Sequence, residues 1–188
     1  MSAEREARLR LLLRKAERSR ELEPFIQRLM DATHLPHDSF PFLSLEETDS
    51  YKQMLNTRYV QDLRTADKLM LVWDEPDEMR DVLSGMAAAA DDAELLVYFQ
   101  DSDVLGALAM PARNFLSQAF NILKAAGDCL HAAPRDASSG LMLDLYEEGP
   151  AGLRYETLGW GHYLSILEQS VAKLYPNKLV ASTSRVST

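Results

Sequence analysis

The sequence predicts an α+β protein, or an irregular α/β one, in which a helical N-terminal third precedes a mixed β-sheet flanked by helices. Apolar residues recur at helical spacing in the first third, two continuous apolar runs bracket a helix-like stretch in the middle, and short runs separated by turn residues follow. With 188 residues, one compact unit is expected. Its predicted parts are a helical region (1–66), an α/β body (67–180) and a disordered tail (181–188).

Two helices are predicted in the first 33 residues. The first has apolar residues at positions i, i+3, i+4 and i+7, which form one face of a helix. Pro24 interrupts this pattern, and since proline is tolerated in the first turn of a helix, a second helix is expected to begin near Glu23. The two apolar faces consist of Leu9, Leu12, Leu13 and Ala16, and of Phe25, Ile26, Leu29 and Met30.

A loop and a third helix follow. Residues 34–43 contain Pro36 and Pro41 and lack periodicity, which is typical of a loop. Ser44 and Glu47 match a capping box, in which the serine caps the helix and the glutamate reaches back to it. The helix that they begin is expected to present one apolar face, made of Tyr51, Met54, Leu55, Tyr59, Leu63 and Ala66.

The middle of the chain predicts buried strands. The continuous apolar runs 69–73 and 95–99 are typical of such strands, and the helix between them begins near Pro76. Two strands joined in this way form a βαβ unit and are parallel if they share a sheet. A third strand is expected over residues 104–110.

The last part of the chain predicts a helix, a meander and a final helix. The helix begins at Pro111 and ends at Gly127. Three short runs, 129–133, 141–146 and 153–158, are separated by turn residues and predict an antiparallel meander. The apolar face of the final helix is formed by Leu164, Leu167, Val171 and Leu174.

Charge and cysteine content restrict the function classes. The net charge is −9, and it is unevenly placed: residues 1–33 carry eight Lys/Arg and six Asp/Glu, a net of +2, which leaves −11 for residues 34–188. This balance argues against a nucleic-acid partner. With no apolar run long enough for a signal peptide or a membrane span, and a single cysteine, Cys129, we expect a cytoplasmic protein without a membrane partner. A homo-oligomer is left open.

Asp101-Ser-Asp103 is the sharpest local motif. It follows an apolar strand, and carboxylates there suit a divalent metal. The pair resembles the Asp-x-Asp of nucleotide-sugar glycosyltransferases and the first motif of haloacid-dehalogenase-type phosphatases; the latter likeness implies Asp101 as nucleophile and Asp103 as acid/base. The sequence lacks a glycine-rich phosphate cradle, so a polar turn is the alternative.

The histidines and the cysteine give no catalytic set. His34 and His37 have chelating spacing but lie in a proline-containing loop, and His131 and His162 are distant from them in sequence. Cys129 has no adjacent basic residue and is expected to be a small core residue. We therefore assign no catalytic residue, no metal ligand and no cofactor.

Acidic residues cluster near the predicted strand ends. Such residues, if they meet at one edge of the sheet, would attract a basic protein partner. The four residues assigned to partner binding are Asp77, Glu78, Asp101 and Asp103. The interleaved cations and acids of the first helix, in contrast, predict a solvated face with ion pairs along the helix.

One stretch resembles a known family. The run from Gly140 to Glu148, followed by Tyr155 to Gly161, resembles the C-terminal sheet of small bacterial immunity proteins of polymorphic toxin systems. The resemblance implies a cytosolic, acidic, non-enzymatic protein that binds a cognate toxin. The leading hypothesis is thus an immunity protein that neutralises a basic toxin.

The alternatives are a metal-dependent phosphoryl or glycosyl transferase using Asp101 and Asp103, and a helical scaffold or secretion chaperone.

Overall fold

The computed structural model describes residues 3–61, 67–127, 129–147 and 152–183. Helices and strands alternate irregularly along this part of the chain. The helices are α1 (Ala3–Thr33), α2 (Leu45–Gln61), α3 (Pro76–Ala89), α4 (Ser102–Leu105), α5 (Ala112–Ala126), α6 (His162–Leu174) and α7 (Pro176–Thr183), with a 3₁₀ turn at His37–Ser39. The strands are β1 (Lys68–Trp73), β2 (Glu94–Phe99), β3 (Leu108–Pro111), β4 (Cys129–Ala133), β5 (Gly140–Glu147) and β6 (Leu153–Trp160).

The six strands form one sheet in the order β1-β6-β5-β4-β2-β3. The predicted α+β class and the β4-β5-β6 meander are confirmed. Every neighbouring pair is antiparallel, so the expected mixed sheet is corrected to an antiparallel one. β1 and β2 do run in the same direction, as a βαβ unit requires, but the meander lies between them because β1 pairs with β6.

Both faces of the sheet are apolar, and helices cover them unequally. The first face carries Leu71, Trp73, Val97 and Phe99 and lies in the main core beneath α3, α5 and α6, with α1 packed against α5. The second face carries residues such as Leu96, and α2 covers it only in part. Helices on one face and a single helix on the other give three layers.

α1 departs from the prediction. It is one continuous helix through Pro24, whereas two helices were expected. A proline inside a helix removes one hydrogen bond, but both halves of α1 are anchored. Phe25, Ile26 and Leu29 are buried in the main core, as predicted, and cations of the N-terminal half bind α2 and the loop before it.

The apolar face predicted for the N-terminal half of α1 is not buried. Leu9, Leu12 and Leu13 are 50%, 56% and 61% exposed. The cations that follow them, in contrast, make the tertiary contacts. Lys15 Nζ lies 2.5 Å from Glu46, and Arg18 donates to the Leu43 carbonyl at 2.8 Å. Ion pairs therefore join α1 to α2 as well as running along the helix, and a hydrogen bond joins α1 to the loop before α2.

The region around Gly106 also departs from the prediction. Instead of one strand over 104–110, residues Ser102–Leu105 form α4 and Leu108–Pro111 form β3. Gly106 separates them with φ +95°, and a Cβ there would lie 2.4 Å from the Leu43 carbonyl oxygen. A glycine is needed because only glycine adopts this conformation without strain and without that clash.

Of the remaining sequence predictions, some are confirmed and others are wrong. The capping box is confirmed: Ser44 Oγ accepts the Glu47 N–H, and Glu47 Oε2 accepts the Ser44 N–H. Cys129 is only half-buried, on β4, and so is not a core residue. Residues 181–183, expected in a disordered tail, belong to α7, while the rest of that tail lies outside the described residues, as do Leu63, Ala66 and the side chain of Tyr59.

Tyr51 holds α2 on the second face. Its hydroxyl, on a buried side chain, donates a hydrogen bond shared between the carbonyls of Leu96 and Ala133, at 3.0 and 3.1 Å. These two residues are partners in the β2–β4 register. Burial raises the pKa of Tyr51, so the hydroxyl stays protonated as a donor.

Tyr51→Phe is expected to lower the free energy of unfolding by about 1–2 kcal/mol, because two buried carbonyls lose their donor. Urea unfolding followed by far-ultraviolet circular dichroism measures the loss. The matched control is Tyr175→Phe, which removes an exposed bond to Asp81 and is expected to cost less than about 0.5 kcal/mol. Equal losses in the two variants would contradict the role given to Tyr51.

Candidate functional site

The four acidic residues assigned from the sequence lie at one edge of the sheet. β1 and β2 run in the same direction, so Asp77 and Glu78, after β1, and Asp101 and Asp103, after β2, follow strands that end at the same edge. We call it the acidic edge. Four strand-to-strand steps separate β1 from β2, a span of about 19 Å. The structure therefore places the two pairs on one edge but not in one site.

The other acidic clusters divide between the two edges. Asp91, Asp92 and Glu94 lie where β2 begins, which is the opposite edge of the sheet. β5 ends with Glu147 at the acidic edge, between the two assigned pairs. Glu148 lies outside the described residues.

The first pair belongs to a run of carboxylates at the start of α3, which we call the α3 cluster (Asp74, Glu75, Asp77, Glu78 and Asp81). Within it, Asp77 is paired with Arg80 but is 77% exposed. Glu78 is less exposed and lies 2.7 Å from Lys178 Nζ of α7, which also stacks over the Trp73 ring. Asp77 is thus open to a partner, while Glu78 holds α7.

Asp101 is the most available member of the second pair. It is exposed and precedes α4, and its backbone carbonyl accepts the N–H groups of Val104 and Leu105. Its side chain makes no capping bond, and among the described residues its carboxylate has no hydrogen-bond or ion-pair partner. The turn geometry therefore depends on the backbone of Asp101, and the carboxylate is free to bind.

Asp103 is held inside a network of side chains. Lys52 Nζ lies 2.6 and 2.9 Å from its two oxygens, and the Tyr98 hydroxyl donates at 2.6 Å. Arg14 Nε donates a hydrogen bond of 2.6 Å to the backbone carbonyl of Asp103. The two terminal nitrogens of the Arg14 guanidinium donate to the carboxylate of Asp49 at 2.8 Å each. The network joins α1, α2, β2 and α4.

The network shifts the ionisation of its members. Burial alone would raise the pKa of Asp103, but the bonds from Lys52 and Tyr98 outweigh it and hold that pKa below its ordinary value. The bond to Asp103 raises the pKa of Lys52. Burial, and then the bond to Asp103, raise the pKa of Tyr98. At neutral pH the network thus holds a carboxylate, an ammonium and a neutral phenol.

For the alternatives that require a metal ion, the described residues show no cluster of possible ligands. Among the described residues, no three His, Cys, Asp or Glu side chains lie close enough to hold a metal ion. His37 lies 3.4 Å from Glu23 rather than beside His34 in a chelate. A cation at Asp103 would have to displace Lys52 from the carboxylate.

The sequence did not predict a cavity of about 590 Å³ between α2 and the second face of the sheet. Its walls are mainly apolar, with Leu55 from α2, Met142 from β5 and Trp160 from β6. Lys52 and Tyr98, which hold Asp103, also line it. The described part of α2 packs on β2 and β3 through Tyr51, and the cavity lies over the part of this face that α2 leaves open.

His131 supplies the imidazole of this cavity. It lies on β4, opposite Tyr98 on one side and Met142 on the other. Burial lowers the pKa of His131 although Asp144 opposes that shift, so the ring is neutral at pH 7. Alternation along β4 places His131 on the opposite face from Leu130, and this was the one signal in the sequence that could have located it.

The comparisons with known proteins add no assignment. Searches against protein families, curated proteins and solved structures found no match. Within the described residues, no helix combines the length and the apolar character needed to cross a membrane.

A double-mutant cycle with Lys52→Met and Asp103→Asn is expected to give a coupling of about 0.5–1 kcal/mol, since both side chains are partly exposed to solvent. The folded-state pKa of Asp103 lies below the unfolded one, so this stabilisation is complete above about pH 3.9 and is lost as the pH falls through the folded-state value. Urea unfolding between about pH 7 and about pH 2 measures it.

The exposed pair Arg10–Glu6, one helical turn apart, is the control cycle and is expected to give about 0.3–0.5 kcal/mol. Coupling between Lys52 and Asp103 that persists unchanged at the lowest pH would contradict the ionic network.

Proposed function

We propose that this chain is a cytoplasmic, non-enzymatic binding protein, an immunity protein whose acidic edge neutralises a basic toxin. The observation that supports the proposal most is that β1 and β2 end at the same edge of the sheet and bring both assigned acidic pairs to it. The strands that precede the two pairs are about 19 Å apart, which suits one protein partner because a standard interface covers about 800 Å² on each side.

The contacts divide the four residues into two roles. Asp77 and Asp101 are exposed and are the direct contacts of the proposal. Glu78 and Asp103 are held by Lys178 and Lys52, and they fix the positions of α7 and α4 beside the direct contacts.

The resemblance to immunity proteins supports the proposal from a different part of the fold. Its described residues lie mainly on β5 and β6, two interior strands of the sheet, and none of the four assigned acidic residues is among them. The resemblance therefore supports the scaffold of an immunity protein, whereas the acidic edge supports a basic protein as the partner. The two arguments are independent of each other.

Charge reversal tests the acidic edge. The product of the gene adjacent to this one is expected to be a basic toxin that arrests growth and is neutralised by co-expression of this chain. Asp77→Lys combined with Asp101→Lys is expected to weaken binding at least about tenfold and to abolish protection, because steering and contact are both lost. Growth curves and surface plasmon resonance at two salt concentrations measure the two effects.

The matched control is Asp91→Lys combined with Asp92→Lys, which makes the same change in net charge at the opposite edge. This control is expected to protect like the unmodified chain, and thermal unfolding verifies that both double variants are folded. An adjacent product that is not toxic, or equal binding by the two variants, would refute the proposal.

A second candidate is supported by the uncovered face of α1. The exposed side chains of Leu9, Leu12 and Leu13 lie along one helix face, as in a helix that pairs with another helix. This observation favours the alternative of a scaffold or secretion chaperone. Removal of residues 1–33 would not test it, since Phe25 and Leu29 belong to the core.

Replacing Leu9, Leu12 and Leu13 together by Gln is expected to leave the fold and its stability within about 0.5 kcal/mol, because the three side chains contact little. If α1 pairs with a second helix, sedimentation velocity will show an oligomer for the unmodified chain and a monomer for the triple variant. If both proteins are monomers, α1 does not pair with α1 of a second copy of this chain.

A further inference from the structure

We propose that the cavity between α2 and the second face of the sheet binds a small, uncharged aromatic heterocycle, with His131 as its hydrogen-bond partner. Lys52 and Tyr98 connect this cavity to Asp103 of the acidic edge, but the ligand proposed here does not depend on the proposed function. The proposal rests on the size of the cavity, its walls and one imidazole without a partner.

The dimensions suit a small molecule. A volume of about 590 Å³ lies within the range of about 300–1,000 Å³ of small-molecule sites. Its walls come from three sides: Leu55 from α2, Met142 and Trp160 from the sheet, and Leu164 from α6. Apolar walls around a few polar groups are typical of a site for a ring-sized ligand.

His131 is the half-buried polar group of the lining that has no hydrogen-bond partner among the described residues, whereas Asn56 and Asp67, which also line the cavity, are exposed. Tyr98, directly opposite on β2, donates to Asp103, and Trp160 Nε1 donates to the Ala137 carbonyl at 3.4 Å. His131 lines the same cavity, and among the described residues neither of its ring nitrogens makes a hydrogen bond. A neutral imidazole offers one donor and one acceptor, so a heterocyclic N–H or ring nitrogen satisfies it.

The charges of the lining favour a ligand without charge. Lys52 is engaged by Asp103, and Arg58 also has a partner. Ser138 Oγ donates to Asp136. The cations that could recognise an anion are thus already compensated, and the carboxylate among the described lining residues, Asp67, is exposed to solvent. A charged ligand would therefore lose hydration without gaining a buried counter-charge.

Three probes that share one ring system test the ligand class: indole, indole-3-acetate and tryptamine, which are neutral, anionic and cationic at pH 7. In isothermal titration calorimetry with the full chain, indole is expected to bind at least about tenfold more tightly than either charged probe. Absence of indole binding, or tighter binding of a charged probe, would overturn the proposal.

Two variants test the site itself. His131→Leu keeps an apolar wall but removes the hydrogen bond, and it is expected to weaken indole binding about tenfold. Leu55→Trp fills the cavity and is expected to abolish binding. Should that variant unfold, Leu164→Trp fills the same space from α6. His37→Leu, on the exposed 3₁₀ turn, is the matched control and is expected to bind indole like the unmodified chain. Equal binding by all of these variants would place the ligand elsewhere and refute the site.

Discussion

The pairing of β1 with β6 is the contact on which the rest of the fold depends. It joins residues 68–73 to residues 155–160 in an antiparallel register of six pairs. The bond from Trp73 Nε1 to Thr157 Oγ1, 3.0 Å long between two buried side chains, fixes that register. A slip by one residue would turn Trp73 toward the second face and leave Thr157 buried without a partner.

This pairing also determines where the acidic residues lie. If β1 had paired with β2, α3 and α4 would begin side by side and the two acidic pairs would form one site. Because the meander separates them, Asp77 and Asp101 lie on one edge but follow strands that are about 19 Å apart. That distance is too long for one metal ion or one small substrate to contact both, and it suits a protein surface.

Much of the fold could be predicted from local patterns. The apolar runs 69–73 and 95–99 indicated buried strands, and Ser44 with Glu47 indicated the start of α2, because each pattern acts over a few residues. Strand order could not be predicted, since the pairing of β1 with β6 joins residues 82 to 92 positions apart in sequence and leaves no local pattern. The continuity of α1 through Pro24 was missed for the same reason: its anchors on α2 and α5 are tertiary.

For the candidate site, the sequence identified the acidic residues but not their partners. Nothing in the spacing of Lys52 and Asp103 indicates that they meet, and His131 has no neighbour in sequence that identifies a cavity. In the structure these features converge, because Lys52 and Tyr98 both line the cavity and both bind Asp103. The side chains that form a wall of the cavity therefore also hold the charge of Asp103 beside Asp101. If Lys52 moved within the cavity, the carboxylate of Asp103 would lose the hydrogen bonds from Lys52 that stabilise its ionised form. The electrostatics of this end of the acidic edge are therefore linked to the packing beneath α2.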